Sequence, residues 1–244
     1  VVADTIYNED CLGGMARLET GSIDMILCDL PFGTTRNAWD NIIPLDKLWE
    51  QYERIIKPHG AIVLFAQTPF DKVLGASNLK MLKYEWIWSK NIATGHLNAE
   101  KMPLKKHENI LVFYKRPPTY NPQKTFGHSP YKPRGGGNEQ GRNYGDFGET
   151  RKGNIDGSRF PVSVLSFGCE RGLHPTQKPV ALCEYLIRTY TNAGELVLDS
   201  CAGSGTTAVA CRNTGRHFIC FETSIQYCAI ANERLTGSLH PQSE

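Results

Sequence analysis

The chain has 244 residues, 40% of them hydrophobic and 21% charged, a balance that supports a sizeable core and excludes collagen, low-complexity and wholesale disordered classes. No run approaches eighteen uninterrupted apolar residues, so no membrane-spanning helix is expected. The formal net charge of +2 is too small to point to a partner; only its distribution along the chain can.

Val1–Asp10 shows no basic segment followed by an apolar one, so no secretory leader is expected and the chain reads as cytoplasmic. From Thr5 to about Lys115, strand-like and helix-like patterns alternate. Ile23–Asp29 (IDMILCD) is an apolar run that ends in an acid and is followed by Pro31 and Gly33, which predicts a buried strand stopped by a turn. Leu45, Leu48, Trp49, Tyr52, Ile55 and Ile56 recur at helical spacing, with Pro58 and Gly60 expected to close that helix. Ala61–Ala66 reads as the next buried strand, and Tyr84–Ser89 and Asn109–Tyr114 as further ones.

Between Arg116 and Leu173 the periodicity fades, and Gly, Asn and Pro predict a loop-rich segment, a length that is usually functional or disordered. After it, a helix is expected from near Lys178 to near Gly194, with Pro179 in its first turn. There follow a strand Glu195–Asp199, a Gly-rich turn, a helix to about Asn213, a strand His217–Phe221, and a helix capped by Thr223 or Ser224. Strands alternating with helices predict an α/β fold with a mostly parallel sheet covered on both faces.

Charge is unevenly spread. Lys101–Lys152 holds eleven Lys and Arg against four acids, a net of +7 that leaves −5 for the remainder. Phe113, Tyr114, Tyr120, Phe126, Tyr131, Tyr144 and Phe147 are interleaved with these cations, as suits a polyanion with bases to contact; a solvated basic loop fits the composition equally well. The eight cysteines form no C-x-x-C pair, so neither a metal site nor a redox dithiol is expected, and reduced thiols packed as small hydrophobes are.

Two motifs carry chemistry. Asp199–Thr207 (DSCAGSGTT) joins a strand to a helix, a context that aims backbone N–H groups at a negatively charged group. It lacks the lysine of a phosphate-binding loop but fits G-x-G-x-x-A through Gly203, Gly205 and Ala208, with Glu222 nineteen positions after Gly203. Alone, this pattern suits NAD and S-adenosylmethionine alike. The second motif, Asp29-Leu30-Pro31-Phe32, ends a strand with a carboxylate, a carbonyl, a rigid proline and an aromatic face. Those groups can hold a planar amine, for which a dehydrogenase has no use.

Together these blocks resemble the amino-methyltransferases of DNA, which methylate adenine N6 or cytosine N4. The catalytic signature of that family is an acid, Asn or Ser, then a variable residue, Pro and an aromatic, as in Asp29–Phe32. Its cofactor signature, Asp-Pro-Phe-x-Gly-Ser-Gly-Thr-Thr, is matched by Asp199–Thr207 apart from Ser200 and Cys201. His174-Pro-Thr-Gln-Lys-Pro179 is similar to a third block, and Trp88-Ser-Lys90 and His107-Glu108 look like family framework. The motif order resembles the β-ordered group.

The resemblance implies a Rossmann-like methyltransferase sheet of about seven strands with a permuted start. Residues 1–115 would form the catalytic half, 116–173 a target-recognition insert and 174–244 the cofactor half. It further implies S-adenosylmethionine as cofactor, no metal, and double-stranded DNA as substrate, with methyl transfer to adenine N6, or alternatively to cytosine N4. Asp29, Leu30, Pro31 and Phe32 would be catalytic. Asp10, Cys11, Asp29, Thr176, Lys178, Asp199, Cys201, Gly203, Ser204, Gly205, Thr206 and Glu222 would contact the cofactor, and Lys132, Arg134 and Arg142 the DNA. A homodimer and a cognate restriction enzyme are compatible with the family. More distant alternatives are an RNA or protein-glutamine methyltransferase and an NAD-dependent oxidoreductase.

Overall fold

A computed structural model describes residues 1–33, 42–131, 154–170, 172 and 177–237. The chain divides into two compact units, residues 1–121 with 163–244, and residues 122–162. The larger unit carries one sheet of eight strands: β1 (Thr5–Tyr7), β2 (Ile23–Asp29), β3 (Ile56–Ala66), β4 (Leu82–Thr94), β5 (Lys105–Phe113), β6 (Val164–Phe167), β7 (Leu196–Asp199) and β8 (His217–Phe221). Their order is β1-β8-β7-β2-β3-β5-β4-β6. Only β5 runs against its neighbours β3 and β4, and every other pairing is parallel.

The helices are α1 (Cys11–Ala16), α2 (Leu45–Ile55), α3 (Phe70–Ser77), α4 (Val180–Tyr190), α5 (Thr206–Thr214) and α6 (Ile225–Thr236). They cover both sheet faces and create two apolar layers. One joins Met25, Val63, Ile110, Leu186 and Ala208. The other joins Ile26, Leu64, Leu48, Tyr52 and Met15. Central strands are buried on both sides, which is why β2 reads as a continuous apolar run. No helix among the described residues is long and apolar enough to cross a membrane.

The layout creates a switch point. From β2 the chain proceeds to β3 on one side, whereas from β7 it proceeds to β8 on the other, and β2 and β7 lie side by side in parallel. Open α/β sheets bind ligands in the crevice that such a reversal leaves at the carboxyl ends of the strands. Asp29 ends β2 and Asp199 ends β7.

The structure corrects several sequence expectations. The sheet's eight strands agree with the expected count of about seven, but one of them, Val164–Phe167, lies within the stretch read as loop. It is a four-residue edge strand that buries only Leu165, too short for alternation to show. Pro58 and Gly60 do not follow a helix ending at Ile56. They sit inside β3, where the register shifts between Ile23↔Ile56 and Met25↔Ala61, and that irregularity accommodates both residues.

The smaller unit, among its described residues, contains two antiparallel bridges, Thr125↔Arg159 and Tyr131↔Asn154. The Lys124 ammonium lies 4.4 Å from the Phe160 ring centroid and the Arg159 guanidinium 5.0 Å from that of Tyr131. Phe126, Tyr131 and Phe160 are all exposed.

Candidate active site

A cavity of about 680 Å³ opens at the switch point, a size ordinary for a small-molecule site. The loop after β2 forms one wall: Asp29, Leu30, Pro31 and Phe32 all line it. Pro31 lacks an N–H and Gly33 has φ +66°, so the strand cannot continue and the tetrapeptide turns across the opening. Phe32 stacks on Phe70, with ring centroids 5.4 Å apart.

The opposite wall is the turn between β7 and α5. Asp199 organises it from below, accepting from Cys201 N at 3.0 Å and from Thr207 Oγ1 at 2.6 Å. Burial pushes the Asp199 carboxyl up to about 6, against the opposing effect of those hydrogen bonds. Glu222, just past β8, accepts from Gly203 N and Ser224 N, both at 2.8 Å, and so ties the turn to the start of α6. Arg234 of α6 is buried and donates to Ser204 O at 2.7 Å and to Thr206 Oγ1 at 3.2 Å. A turn this tight needs glycine at Gly205, where φ is +79° and an added Cβ would stand 2.6 Å from Ala231 Cβ.

Asp10 and Cys11 complete this end. The Asp10 carboxylate caps α1 through Leu12 N and Gly13 N. Gly14 lets α1 press onto Phe221, since a Cβ there would meet the ring at 2.2 Å. Ser200 Oγ lies 3.1 Å from Cys28 Sγ and 2.6 Å from Tyr52 OH. The neighbouring Cys11 and Cys28 thiols, together with burial, push the Cys201 thiol well above the usual range. Where the family signature carries a phenylalanine, this chain has a small thiol cluster.

An ionic chain crosses the catalytic end. Lys178 Nζ donates to Asp29 Oδ2 at 2.5 Å and lies 3.3 Å from Glu108 Oε2, and Glu108 in turn pairs with Lys90. Burial raises the Asp29 carboxyl above its ordinary value even though Lys178 pulls the other way. Burial would also raise Glu108, but Lys178 and Lys90 outweigh it and hold that carboxyl low. Lys178 is held charged by the two carboxylates in spite of its burial. Asp29 Oδ1 is a buried acceptor without a hydrogen-bond partner among the described residues, and so are Gln177 Oε1 and Glu108 Oε2, the last of which faces Lys178 as an ion pair only. A buried acceptor left open in a ligand-sized cavity marks a place for a donor that arrives with a ligand.

The cavity thus gathers Asp10, Cys11, Asp29–Phe32, Lys178, Asp199, Cys201, Gly203, Ser204, Thr206 and Glu222 from the sequence-predicted set. Gly205 is not in the lining; it faces Ala231 and Ile6. Thr176, Lys132, Arg134 and Arg142 lie outside the described residues. Sequence reading placed Lys90 and Glu108 in family framework and Gln177 in the third block without a role at the site, and did not single out Arg234. The signal for the first two was a charge set in an apolar strand, which requires a partner.

A family profile for DNA methylases that act at N6 or N4 matches residues 23–233, nearly the whole sheet and all of the cavity lining except Asp10 and Cys11. The chain belongs to that DNA methylase family. The glycine turn, which alone would also fit a nicotinamide oxidoreductase, is therefore the turn of a DNA methylase. The chain is 28% identical over 260 residues to the DNA adenine methyltransferase YhdJ of Escherichia coli (strain K12), covering 99% of this chain and 86% of that protein. It is 29% identical over 259 residues to the type II methyltransferase M.HpaI of Haemophilus parainfluenzae, covering 95% and 74%. The cytosine-N4-specific PvuII DNA methyltransferase shares the methylase fold with a TM-score of 0.71 at 16% identity, over 94% of this chain and 85% of that one. The M1.HpyAVI–SAM complex does so with a TM-score of 0.63 at 24% identity, over 94% and 98%.

Proposed function

We propose that this DNA methylase transfers a methyl group from S-adenosylmethionine to the exocyclic N6 amine of adenine within a specific double-stranded DNA sequence. The observation that carries the reading is Asp29 Oδ1, a buried acceptor left open beside an aromatic ring in a cavity at the switch point. An amine N–H is the donor that acceptor suits.

The cavity fits the cofactor chemically. In this reading Glu222 accepts from the ribose hydroxyls, Asp10 and Cys11 contact the adenine, and the turn Gly203–Thr206 holds the methionine end; Glu222, Asp10, Cys11, Gly203, Ser204 and Thr206 all line the cavity. When bound, S-adenosylmethionine supplies a methyl group on a sulfonium sulfur, already a good leaving group. In this reading Lys178, paired with Asp29 and Glu108, serves the catalytic end of the cavity.

The target amine is a poor nucleophile because its lone pair is delocalised into the ring. Its base must leave the stack to reach the cavity. There Phe32 offers a stacking face, and Asp29 with the Leu30 carbonyl accepts from the two amino hydrogens. Those bonds draw the nitrogen toward tetrahedral geometry and localise its lone pair. Asp29 then takes the proton that the methylated nitrogen must shed. Positioning and electrostatics supply most of the rate.

Adenine is favoured over cytosine because Asp29 is a charged acceptor where cytosine-directed members more often carry Ser, and because YhdJ is a DNA adenine methyltransferase. The basic, aromatic-rich segment suits DNA as substrate. Expression in a host without DNA methylation, with modified bases mapped by direct sequencing, tests the reading. Methylated adenines in one recurring sequence are expected, and an unmodified genome would overturn it.

A further inference from the structure

The acceptor role needs one carboxylate, yet the floor of the cavity holds four charges. Asp29 comes from β2, Lys90 from β4, Glu108 from β5, and Lys178 from the segment before α4. The side chains of Lys178, Glu108 and Lys90 are 7%, 8% and 10% exposed. Lys90 also lies 4.7 Å from the Trp88 ring centroid, and Lys178 5.3 Å from that of Phe65, so both cations are walled by aromatic faces. Asp29 is about a quarter exposed but the other three are nearly fully buried, and a buried ion cluster is weak evidence for stability, so the cluster calls for another account.

Its geometry supplies an account. Asp29 Oδ2 is engaged by Lys178 at 2.5 Å, and only Oδ1 is left open. Rotation of the carboxylate would break the contact with Lys178. Lys178 is also drawn away from Asp29 by Glu108, whose Oε2 lies 3.3 Å from it as an ion pair without hydrogen-bond geometry, and Glu108 is in turn held by Lys90. We infer that Lys178, paired through Glu108 to Lys90, is a positioning residue that locks Asp29 with one oxygen facing the target amine. This rests on the proposed role of Asp29 in methyl transfer.

The inference has a signature in pH. The charged and titratable groups facing Asp29 are Cys28 on its own strand, Lys90, Glu108, Lys178, Cys183 of α4, and Asp199 of β7. Burial, Glu108 and Asp199 favour the protonated carboxyl, and Lys178 and Lys90 favour the ionised one. Methyl transfer needs the ionised form, so the single-turnover rate falls on the acid side as Asp29 takes up a proton. Removing Lys178 moves that acid limb to higher pH. Removing the negative charge of Glu108 moves it to lower pH, because Asp29 then faces two cations and one anion fewer. A residue that merely props up the fold would not shift the limb in opposite directions in the two variants.

The test is the pH profile of single-turnover DNA methylation for the full-length protein and for Lys178→Met, Lys178→Arg and Glu108→Gln. S-adenosylmethionine affinity and thermal melting are followed in parallel. Lys178→Met is expected to displace the acid limb upward by about one unit and to slow transfer at neutral pH roughly 10-fold, with cofactor affinity within about twofold. Lys178→Arg is expected to restore much of the rate, and Glu108→Gln to displace the limb downward. Acid limbs that stay in place, or move the same way in both charge-removing variants, in folded protein that binds the cofactor, would overturn the inference. If Lys178→Met fails to fold, the direction of the Glu108→Gln shift decides alone. Absence of any methyl transfer by the wild-type chain would instead refute the proposed function, and the inference would fall with it.

Discussion

Lys178 and Asp29 are 149 positions apart in sequence, yet Lys178 Nζ stands 2.5 Å from Asp29 Oδ2. The contact joins the third family block to the catalytic tetrapeptide. It also makes the ends of β2 and the approach to α4 one electrostatic unit at the mouth of the sheet.

Asp29→Asn should separate chemistry from binding. The amide preserves the shape of the side chain but can present N–H where an acceptor is needed. Methyl transfer is expected to fall by at least about 100-fold, with S-adenosylmethionine affinity and the melting temperature nearly unchanged. Near-normal turnover in the purified variant would be incompatible with Asp29 as acceptor.

Cofactor affinity should depend on pH through Asp199. Its carboxyl titrates at about 6 because it is buried, and a sulfonium-bearing ligand favours the ionised form. Affinity for S-adenosylmethionine is therefore expected to rise as pH increases through about 6 and then level off. In Asp199→Asn the rise should disappear. The sign for stability is the opposite. A raised carboxyl contributes most below its ordinary value of 3.8 and loses that contribution as pH climbs through about 6. Calorimetric titrations from about pH 5 to 8 measure the first effect, and melts from about pH 3.5 to 7 the second.

Gly205→Ala probes the turn itself. The substitution places a Cβ 2.6 Å from Ala231 Cβ at a residue with φ +79°, so a loss of about 1–3 kcal/mol is expected. Denaturant unfolding measures it. A variant as stable as the parent would show that the turn has room the geometry denies.

The basic segment carries its own prediction. Removing charge at Lys132, Arg134 and Arg142 should weaken DNA binding and flatten its salt dependence by about one unit of slope per lost phosphate contact. An unchanged slope in the triple variant would mean that these side chains are only solvated.

The residues that close the site differ in how openly the sequence announced them. Strands β2 and β8 are legible end to end, because a strand buried on both faces writes itself as an unbroken apolar run. Asp29–Phe32 and Asp199–Thr207 are legible because the turn chemistry and the ligand chemistry fall on adjacent residues. Helices α1 and α3 escaped the periodicity reading. Each is under ten residues, α1 contains Gly13 and Gly14, and neither shows two full turns of apolar spacing. The ionic chain could not be read at all, since Lys90, Glu108 and Lys178 meet only through the order in which β2, β5 and β4 are laid side by side. Arg234 is similar: a cation in the last turn of a helix reads as a solvated end, whereas here it is buried on the carbonyl of Ser204.

The most direct test is to incubate the purified protein with unmethylated duplex DNA and S-adenosylmethionine carrying an isotope-labelled methyl group, digest to nucleosides and weigh them. Labelled N6-methyldeoxyadenosine is predicted with the wild-type chain and none with Asp29→Asn. A labelled methylcytidine peak without methyladenosine would contradict the choice of base, and no labelled nucleoside at all would contradict the account of the site.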